Sequence, residues 1–338
     1  MKILFVGHHV PHYIHTNVYR EKAIQELKHK LLFFNDRDYV IPGRIREWVN
    51  FLQKWDLDRI NKKLIHVVHR EKPELCLVMG TRLPLLVSKT VNEIKKTGSR
   101  IALWITDIPE SKGFSLLEES APFYDHVFYA GTELIEILQN IGVKTMSWLP
   151  FGCDPDYHRP VELTDEERKR YAKDVVFVGA LYPSRWETLK ELAEFEIGIW
   201  GPHWNKAIYG KTKKEYIKDI KINVFEWVKI YNAAKIVVVI HYQVVTTPCY
   251  QASPKVYEAL ACGCFVLVDD QKDVFSLFDD KKHLVRFENL PDLKEKIRYY
   301  LAHPEEREEI ARRGRYEVLA HHTFRQRIKT LIETVCEK

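Results

Sequence analysis

The sequence predicts an α/β chain made of two doubly wound, parallel-sheet domains in series. Three observations predict it. Short apolar runs of strand length alternate with amphipathic stretches of helix length, a pattern that places helices on both faces of a parallel sheet. The alternation breaks off once, at the proline-rich segment 149–160, and then restarts. The length, 338 residues, is that of two domains at ~150 residues each.

The first strand is expected at residues 3–6, followed by a helix from about residue 17 to 30, where Val18, Ala23, Ile24 and Leu27 fall at helical spacing. Compact apolar runs at 75–79, 101–105 and 126–130 read as further strands, each followed by a helix-length amphipathic stretch. Segment 149–160 holds three prolines and a glycine without periodicity, and it sets the boundary. Residues 1–150 are therefore expected as one domain and 151–338 as the other, the latter including the C-terminal helices. Strands are expected in the second domain at 174–178, 197–200, 235–240, 264–268 and 284–287, with three helical stretches after Pro291. Sheets of this kind bind ligands at the carboxyl ends of their strands, beside the point where strand order reverses.

Composition removes several function classes. No apolar run approaches the ~20 residues of a membrane-spanning helix, and the opening strand reaches Gly7 too soon for a signal peptide. A cytoplasmic location is expected, with association at a membrane surface left open. Six cysteines, at 76, 153, 249, 262, 264 and 336, form no CxxC pair or metal spacing and are expected as reduced thiols. A net charge of +5 spread over mixed-sign helices argues against a dedicated nucleic-acid partner, while it suits an anionic substrate or lipid surface. The loop after the first strand, Gly7-His-His-Val-Pro-His12, lacks the closely spaced glycines of a dinucleotide fingerprint, which disfavours an oxidoreductase.

The most informative stretch is Ser253-Pro-Lys-Val-Tyr-Glu-Ala-Leu-Ala-Cys-Gly-Cys-Phe-Val-Leu-Val-Asp269. Ser253 and Pro254 suit a helix start, Val256, Ala259 and Leu260 form its apolar side, and Gly263 ends it. The N–H groups and dipole of a helix N-terminus, with Lys255 in the first turn, suit a diphosphate, and Glu258 one turn on could accept from ribose hydroxyls. The same spacing also fits an ordinary surface helix with a solvated lysine and glutamate.

This stretch resembles the donor-site signature of glycosyltransferases with the GT-B fold, in which two Rossmann-like domains face each other across a cleft. More narrowly, the chain resembles the CgeB-like group, named after a spore-maturation protein. Further segments carry the resemblance in the family's order: Val176-Phe-Val-Gly-Ala-Leu-Tyr-Pro-Ser-Arg185, Ile199-Trp-Gly-Pro-His-Trp204, Tyr231-Asn-Ala-Ala-Lys235 leading to His241, and Leu301-Ala-His-Pro-Glu-Glu-Arg307 through Arg325. Coverage is good from about residue 149 onward and thins before it to Trp104-Ile-Thr-Asp-Ile-Pro109 and the opening strand.

The resemblance implies a nucleotide diphosphate sugar as co-substrate, of UDP or GDP type, with no cofactor. Gly179 would let the backbone approach a phosphate, and Arg185 would pair with the diphosphate alongside Lys255, replacing a metal. Gly201 and Trp204 lie where the family brings the nucleotide base, although a buried core tryptophan fits the sequence equally well. His241, after the apolar run 236–240, should emerge at a strand's carboxyl end as a sugar or phosphate contact, or else be a satisfied core histidine. One departure is Tyr250, which stands where many retaining GT-B enzymes have a glutamate.

On the N-terminal side, Asp107 follows the strand at 101–105 and is the candidate catalytic acid or base, or a capping aspartate. His8, His9, His12 and His15 crowd the first loop; His8 and His12 are candidate acceptor contacts, the alternative being a solvated loop. No metal site is expected, since Asp56-Leu-Asp58 falls in a helical stretch and Asp154-Pro-Asp156 in the linker. Segment 44–63 interleaves Arg44, Arg46, Lys54, Arg59, Lys62 and Lys63 with Trp48, Phe51, Leu52 and Trp55. It is expected as a core-packed helix pair with a basic outer face, with a lipid-surface role as the alternative.

The expected activity is metal-independent sugar transfer to an acceptor hydroxyl, with retention preferred. The acceptor is left open among polysaccharide, protein, lipid and modified nucleobase. The rivals are a nucleotide-sugar epimerase of the same fold and a catalytically inactive nucleotide-binding scaffold.

Overall fold

A computed structural model of the chain describes residues 1–9, 14–46, 48–80, 86–107, 111–204, 217–219, 223–242 and 249–336. They divide into two compact units, one of residues 1–150 with 325–338, the other of residues 151–324.

The first unit runs β1 (Lys2–Gly7), α1 (Thr16–Glu26), β2 (Lys30–Asn35), α2 (Gly43–Arg46), α3 (Asn50–Glu71), β3 (Leu75–Gly80), α4 (Ser88–Lys96), β4 (Arg100–Ile105), α5 (Ser111–Ser120), β5 (His126–Tyr129), α6 (Leu134–Asn140) and β6 (Met146–Trp148). Its six strands are parallel, in the order β2-β1-β3-β4-β5-β6. Strand β3 is buried along its whole length, as a central strand covered on both faces must be. The helix expected to reach residue 30 stops at Glu26, because Lys28 turns to a φ of 64° and the chain re-enters the sheet as β2. That strand is mostly exposed or half-buried, and its apolar run, residues 31–34, follows the helix with no glycine or proline to mark the break.

The second unit runs α7 (Asp165–Tyr171), β7 (Lys173–Val178), α8 (Pro183–Leu189), β8 (Ile197–Gly201), β9 (Ile217–Asp219), α9 (Val224–Ala233), β10 (Ala234–Val239), α10 (Pro254–Ala261), β11 (Val266–Asp269), α11 (Lys272–Phe275), β12 (Val285–Phe287), α12 (Leu290–Ala302) and α13 (Pro304–His321). Its strands are also parallel, in the order β12-β11-β10-β7-β8-β9. From β7 the chain winds outward through β8 and β9, then returns to β10 on the other side of β7 and winds away through β11 and β12. Strand order therefore reverses between β7 and β10, and in the first sheet between β1 and β3.

The last helix, α14 (Phe324–Cys336), departs from the expected division. Instead of closing the second domain, all of it after Phe324 belongs to the first unit. It buries Ile328, Leu331, Ile332 and Val335, and Arg327 Nε donates to the Pro150 carbonyl at 3.1 Å. The two passages between the units run side by side. Cys153 N–H donates to the His322 carbonyl at 2.9 Å and Phe324 N–H to the Cys153 carbonyl at 2.8 Å. A Cβ on Gly152 would lie 2.9 Å from the His322 oxygen, so only glycine lets the strands approach this closely.

Candidate functional site

In the second unit the site grows from the reversal between β7 and β10. Arg185, in α8, reaches across it. Its Nε donates to the Ile240 carbonyl just past β10 at 2.8 Å, and its Nη1 to the Ala180 carbonyl just past β7 at 3.2 Å. The guanidinium lies over the rings of Tyr182, at 4.9 Å, and Phe177, at 5.5 Å. Burial lowers its pKa, yet it stays cationic, and Nη2 has no partner among the described residues. Gly179 is immediately beside it: a Cβ there would lie 2.9 Å from the Phe177 ring and 3.5 Å from Arg185 Nη1.

Helix α10 begins beside the same reversal. Ser253 caps it, accepting the Lys255 N–H at 3.3 Å, and Pro254 occupies the first helical position, where no N–H is needed. The cap is anchored to the sheet through His241, which is buried. Its Nδ1 faces Asp269 Oδ1 at 2.5 Å, its backbone N–H donates to Asp269 Oδ2 at 2.9 Å, and its Nε2 accepts the Ser253 N–H at 2.9 Å. Accepting at Nε2 assigns the proton to Nδ1. Both ring nitrogens are thus engaged inside the protein, so His241 is a brace between β11 and α10 and not the direct sugar or phosphate contact expected of it.

One turn into α10, Lys255 Nζ pairs with Glu258 Oε2 at 2.7 Å and lies 4.0 Å over the Trp227 ring. Glu258 is buried, and its Oε1 is 3.9 Å from His158 Nε2 of the linker segment. Burial alone would raise the Glu258 carboxyl, but Lys255 and then His158 outweigh it and hold it below the usual range. Burial, the largest influence on His158, pushes that imidazole down.

Trp204 requires a second correction. It is fully buried in the core of its unit, edge-on to Phe177 and Trp186, and its Nε1 donates to the Gly179 carbonyl at 2.8 Å. No face is left for a nucleotide base; the indole supports the Gly179 loop from behind. Gly201 works in the same way. At φ 146° its Cβ position falls 2.0 Å from the Gly179 oxygen, so it permits the ends of β7 and β8 to touch. Tyr250 is half-buried, with Lys272 Nζ 4.8 Å from its ring centre.

In the first unit, His8 follows β1 and Asp36 follows β2. Asp36 is buried, with its N–H on the Gly7 carbonyl at 2.9 Å and its Oδ1 3.8 Å from His8 Nδ1. Neither of those two side-chain atoms has a hydrogen bond. Burial raises the Asp36 carboxyl to about 6 and lowers the half-buried His8. His15 caps α1, accepting the Asn17 N–H at 3.2 Å, while His9 pairs with Glu21 at 2.6 Å and stacks on Phe33. His12 lies outside the described residues. Asp107 is exposed just past β4. Its charge supports buried Arg20, whose guanidinium bonds Asn17 Oδ1 at 2.7 Å and sits 4.4 Å over Trp104.

Both Asp-x-Asp sequences are structural at their first carboxylate. Asp56 accepts the Val40 and Ile41 N–H groups, and Asp154 accepts the Asp156 N–H. Among the described residues no group of three or more His, Cys, Asp or Glu side chains is placed to hold a metal ion, and no helix is long and apolar enough to cross a membrane. Sequence reasoning passed over Asp36, because the apolar run of β2 follows the helix with no glycine or proline to set it off as a strand. It also passed over His158, hidden in a linker, and Asp269, quoted only as the last residue of the stretch that begins at Ser253.

Residues 185–333 match the family described as glycosyl transferase-like. The spore protein CgeB of Bacillus subtilis (strain 168) is 25% identical over 271 residues, 75% of this chain and 80% of that protein. Among solved structures, a glycosyltransferase from Rickettsia africae ESF-5 superposes with a TM-score of 0.70 at 14% identity, covering 99% of this chain and 98% of its own. Anabaena Alr3699/HepE in complex with UDP-glucose gives 0.69 at 11% identity over 100% of both chains. An Escherichia coli trehalose-6-phosphate protein bound with UDP-2-fluoro glucose gives 0.69 at 11% identity over 99% of both. These structural likenesses establish a shared two-sheet fold.

Proposed function

We propose that the chain is a CgeB-like glycosyltransferase of the GT-B fold and that it moves a sugar from a nucleoside diphosphate donor, held by the second unit, to a hydroxyl of an acceptor admitted by the first. The observation that supports this reading is the meeting of Arg185 and the braced N-terminus of α10 at the strand-order reversal. As the bond from sugar to diphosphate breaks, negative charge gathers on the leaving oxygens. Arg185 offers Nη2, α10 offers its dipole, and Lys255 offers a full charge, all held in place before the reaction begins. With those cations supplied by side chains, the leaving group needs no metal. Glu258, kept ionised by Lys255, accepts hydrogen bonds from the ribose.

The donors bound by HepE and by the Escherichia coli protein favour a UDP-hexose. On the acceptor side, Asp107 and the His8–Asp36 pair are the polar groups that follow strand ends. Retention at the anomeric carbon is the expected outcome, by analogy with retaining enzymes of the fold.

Thermal-shift measurements with UDP, UDP-glucose and GDP, with and without EDTA, test the donor site, since a ligand that binds only the folded chain raises its melting temperature. A chelator-insensitive rise with the uridine compounds that Arg185→Ala removes supports the reading. No rise with any nucleotide overturns it. Conversion of a UDP-sugar to its epimer without acceptor would make the chain an epimerase instead.

A further inference from the structure

The segment expected to be a core-packed helix pair has its aromatic residues on the outside. Trp48 is 88% exposed, Phe51 74% and Trp55 47%, and Val40, Ile45 and Val49 are exposed with them. Single exposed apolar side chains are ordinary, but three large aromatics and three aliphatics within sixteen residues form a patch that a soluble surface does not otherwise keep. The rest of the same helix behaves as expected: Ile60, Leu64 and Val68 of α3 are wholly buried. The exposed end is also firmly attached. Asp56, with no exposure, accepts the Val40 N–H at 3.2 Å and the Ile41 N–H at 3.2 Å, and binds Arg59 Nε at 3.1 Å. The aromatics therefore stand on a fixed base.

The charges around them select the occupant. Residues 40–63 carry six Lys or Arg against three Asp or Glu, a net of +3, and one of the three acids is the buried Asp56. Lys54, between Phe51 and Trp55, and Lys62, farther along α3, are exposed. A second copy of this chain meeting the patch across a twofold axis would bring like charges together. Tryptophan and phenylalanine beside lysine suit the headgroup layer of a bilayer, where the rings enter the acyl boundary and the ammonium groups meet lipid phosphates.

We propose that the α2–α3 segment, through Trp48, Phe51 and Trp55 with Lys54 and Lys62, docks the chain peripherally on a membrane surface containing anionic lipid. The inference is independent of the reaction proposed above, and so is its test. The full chain is sedimented with vesicles of phosphatidylcholine alone and of phosphatidylcholine mixed with phosphatidylglycerol, while tryptophan emission is followed. Binding is expected to require the anionic lipid, to weaken as salt screens the charges, and to shift the emission to the blue. The double variant Trp48→Ala/Phe51→Ala should lose about tenfold or more in partition, because each buried ring contributes more than the 1.4 kcal/mol that a factor of ten requires. Its melting temperature should stay unchanged, since both side chains are in water in the free chain. Absence of binding to anionic vesicles, or binding that the double variant retains, overturns the proposal. So does a dimer in solution that the same variant dissociates, which would make the patch a contact between copies.

Discussion

His241 and Asp269 share two contacts, Nδ1 to Oδ1 at 2.5 Å and backbone N–H to Oδ2 at 2.9 Å, and through them the end of β11 fixes the helix cap at Ser253. Replacing Asp269 by alanine leaves two buried donors of His241 without acceptors. The cost expected is about 2–4 kcal/mol, read from urea unfolding. Because Ser253 N–H is held by the same imidazole, His241→Ala should lower stability and nucleotide affinity together. A histidine that merely touched the ligand would lower affinity and leave the unfolding curve in place.

Gly201→Ala tests the contact between β7 and β8. The added methyl meets the Gly179 carbonyl at 2.0 Å, backbone against backbone, at a φ of 146° that side-chain-bearing residues avoid. A loss of at least about 3 kcal/mol is expected, roughly 6–12 °C in melting temperature for a unit of this size. Gly98→Ala is the control. Its φ is 85° but nothing lies within 4 Å, so a loss of only about 1 kcal/mol is expected.

The strands that could be read from sequence were those buried on both faces, such as β3 and β10, because a parallel sheet under helices writes a continuous apolar run. Edge strand β9 leaves no such run, and that of edge strand β2, residues 31–34, is not set off from the preceding helix by a glycine or proline. The interdomain break at residue 150 was legible from its prolines, whereas the return of α14 to the first unit was not, since an amphipathic helix does not record which core its apolar face meets. At the site, the cap and charges of α10 follow from local spacing. The roles of His241 and Trp204 depend on partners 28 and 25 residues away, and composition cannot distinguish a brace from a ligand contact.

Lys255 and Glu258 should prove coupled in a double-mutant cycle. Lys255→Ala strands a buried carboxylate, and about 3 kcal/mol of destabilisation is expected. Adding Glu258→Gln to it should recover part of that loss. The pH dependence has a definite sign. The folded Glu258 carboxyl is held below its ordinary value of 4.5, so its contribution to stability is present above that value and disappears as pH falls through the folded one. In Lys255→Ala burial instead pushes the carboxyl up, so the deficit relative to the parent should be largest at neutral pH and shrink as pH falls through the raised value, measured by denaturant titration at each pH. Both single variants should weaken UDP binding in calorimetry, which a solvated surface pair would leave unchanged.

Asp36 has the opposite sign. Burial raises its carboxyl from 3.8 to about 6, so the folded state prefers the protonated form. That preference stabilises the fold fully below the unfolded value and is lost as pH rises through about 6. The loss amounts to about 3 kcal/mol, because burial outweighs the Arg37 guanidinium, whose Nε lies 3.6 Å from Oδ1, and ionisation at neutral pH leaves that oxygen without a hydrogen bond and His8 3.8 Å away. Asp36→Asn removes the ionisation. Relative to the parent, the variant should gain stability between pH 4 and pH 7, measured by denaturant titration at each pH. A costly buried charge beside a strand end is what an acceptor-binding role would require, and functional groups commonly reduce stability in this way. The Asn variant should therefore turn over more slowly while unfolding less readily, with the rate loss shared by His8→Ala. A variant both more stable and fully active would remove the pair from the reaction and leave Asp107 as the acceptor-side candidate.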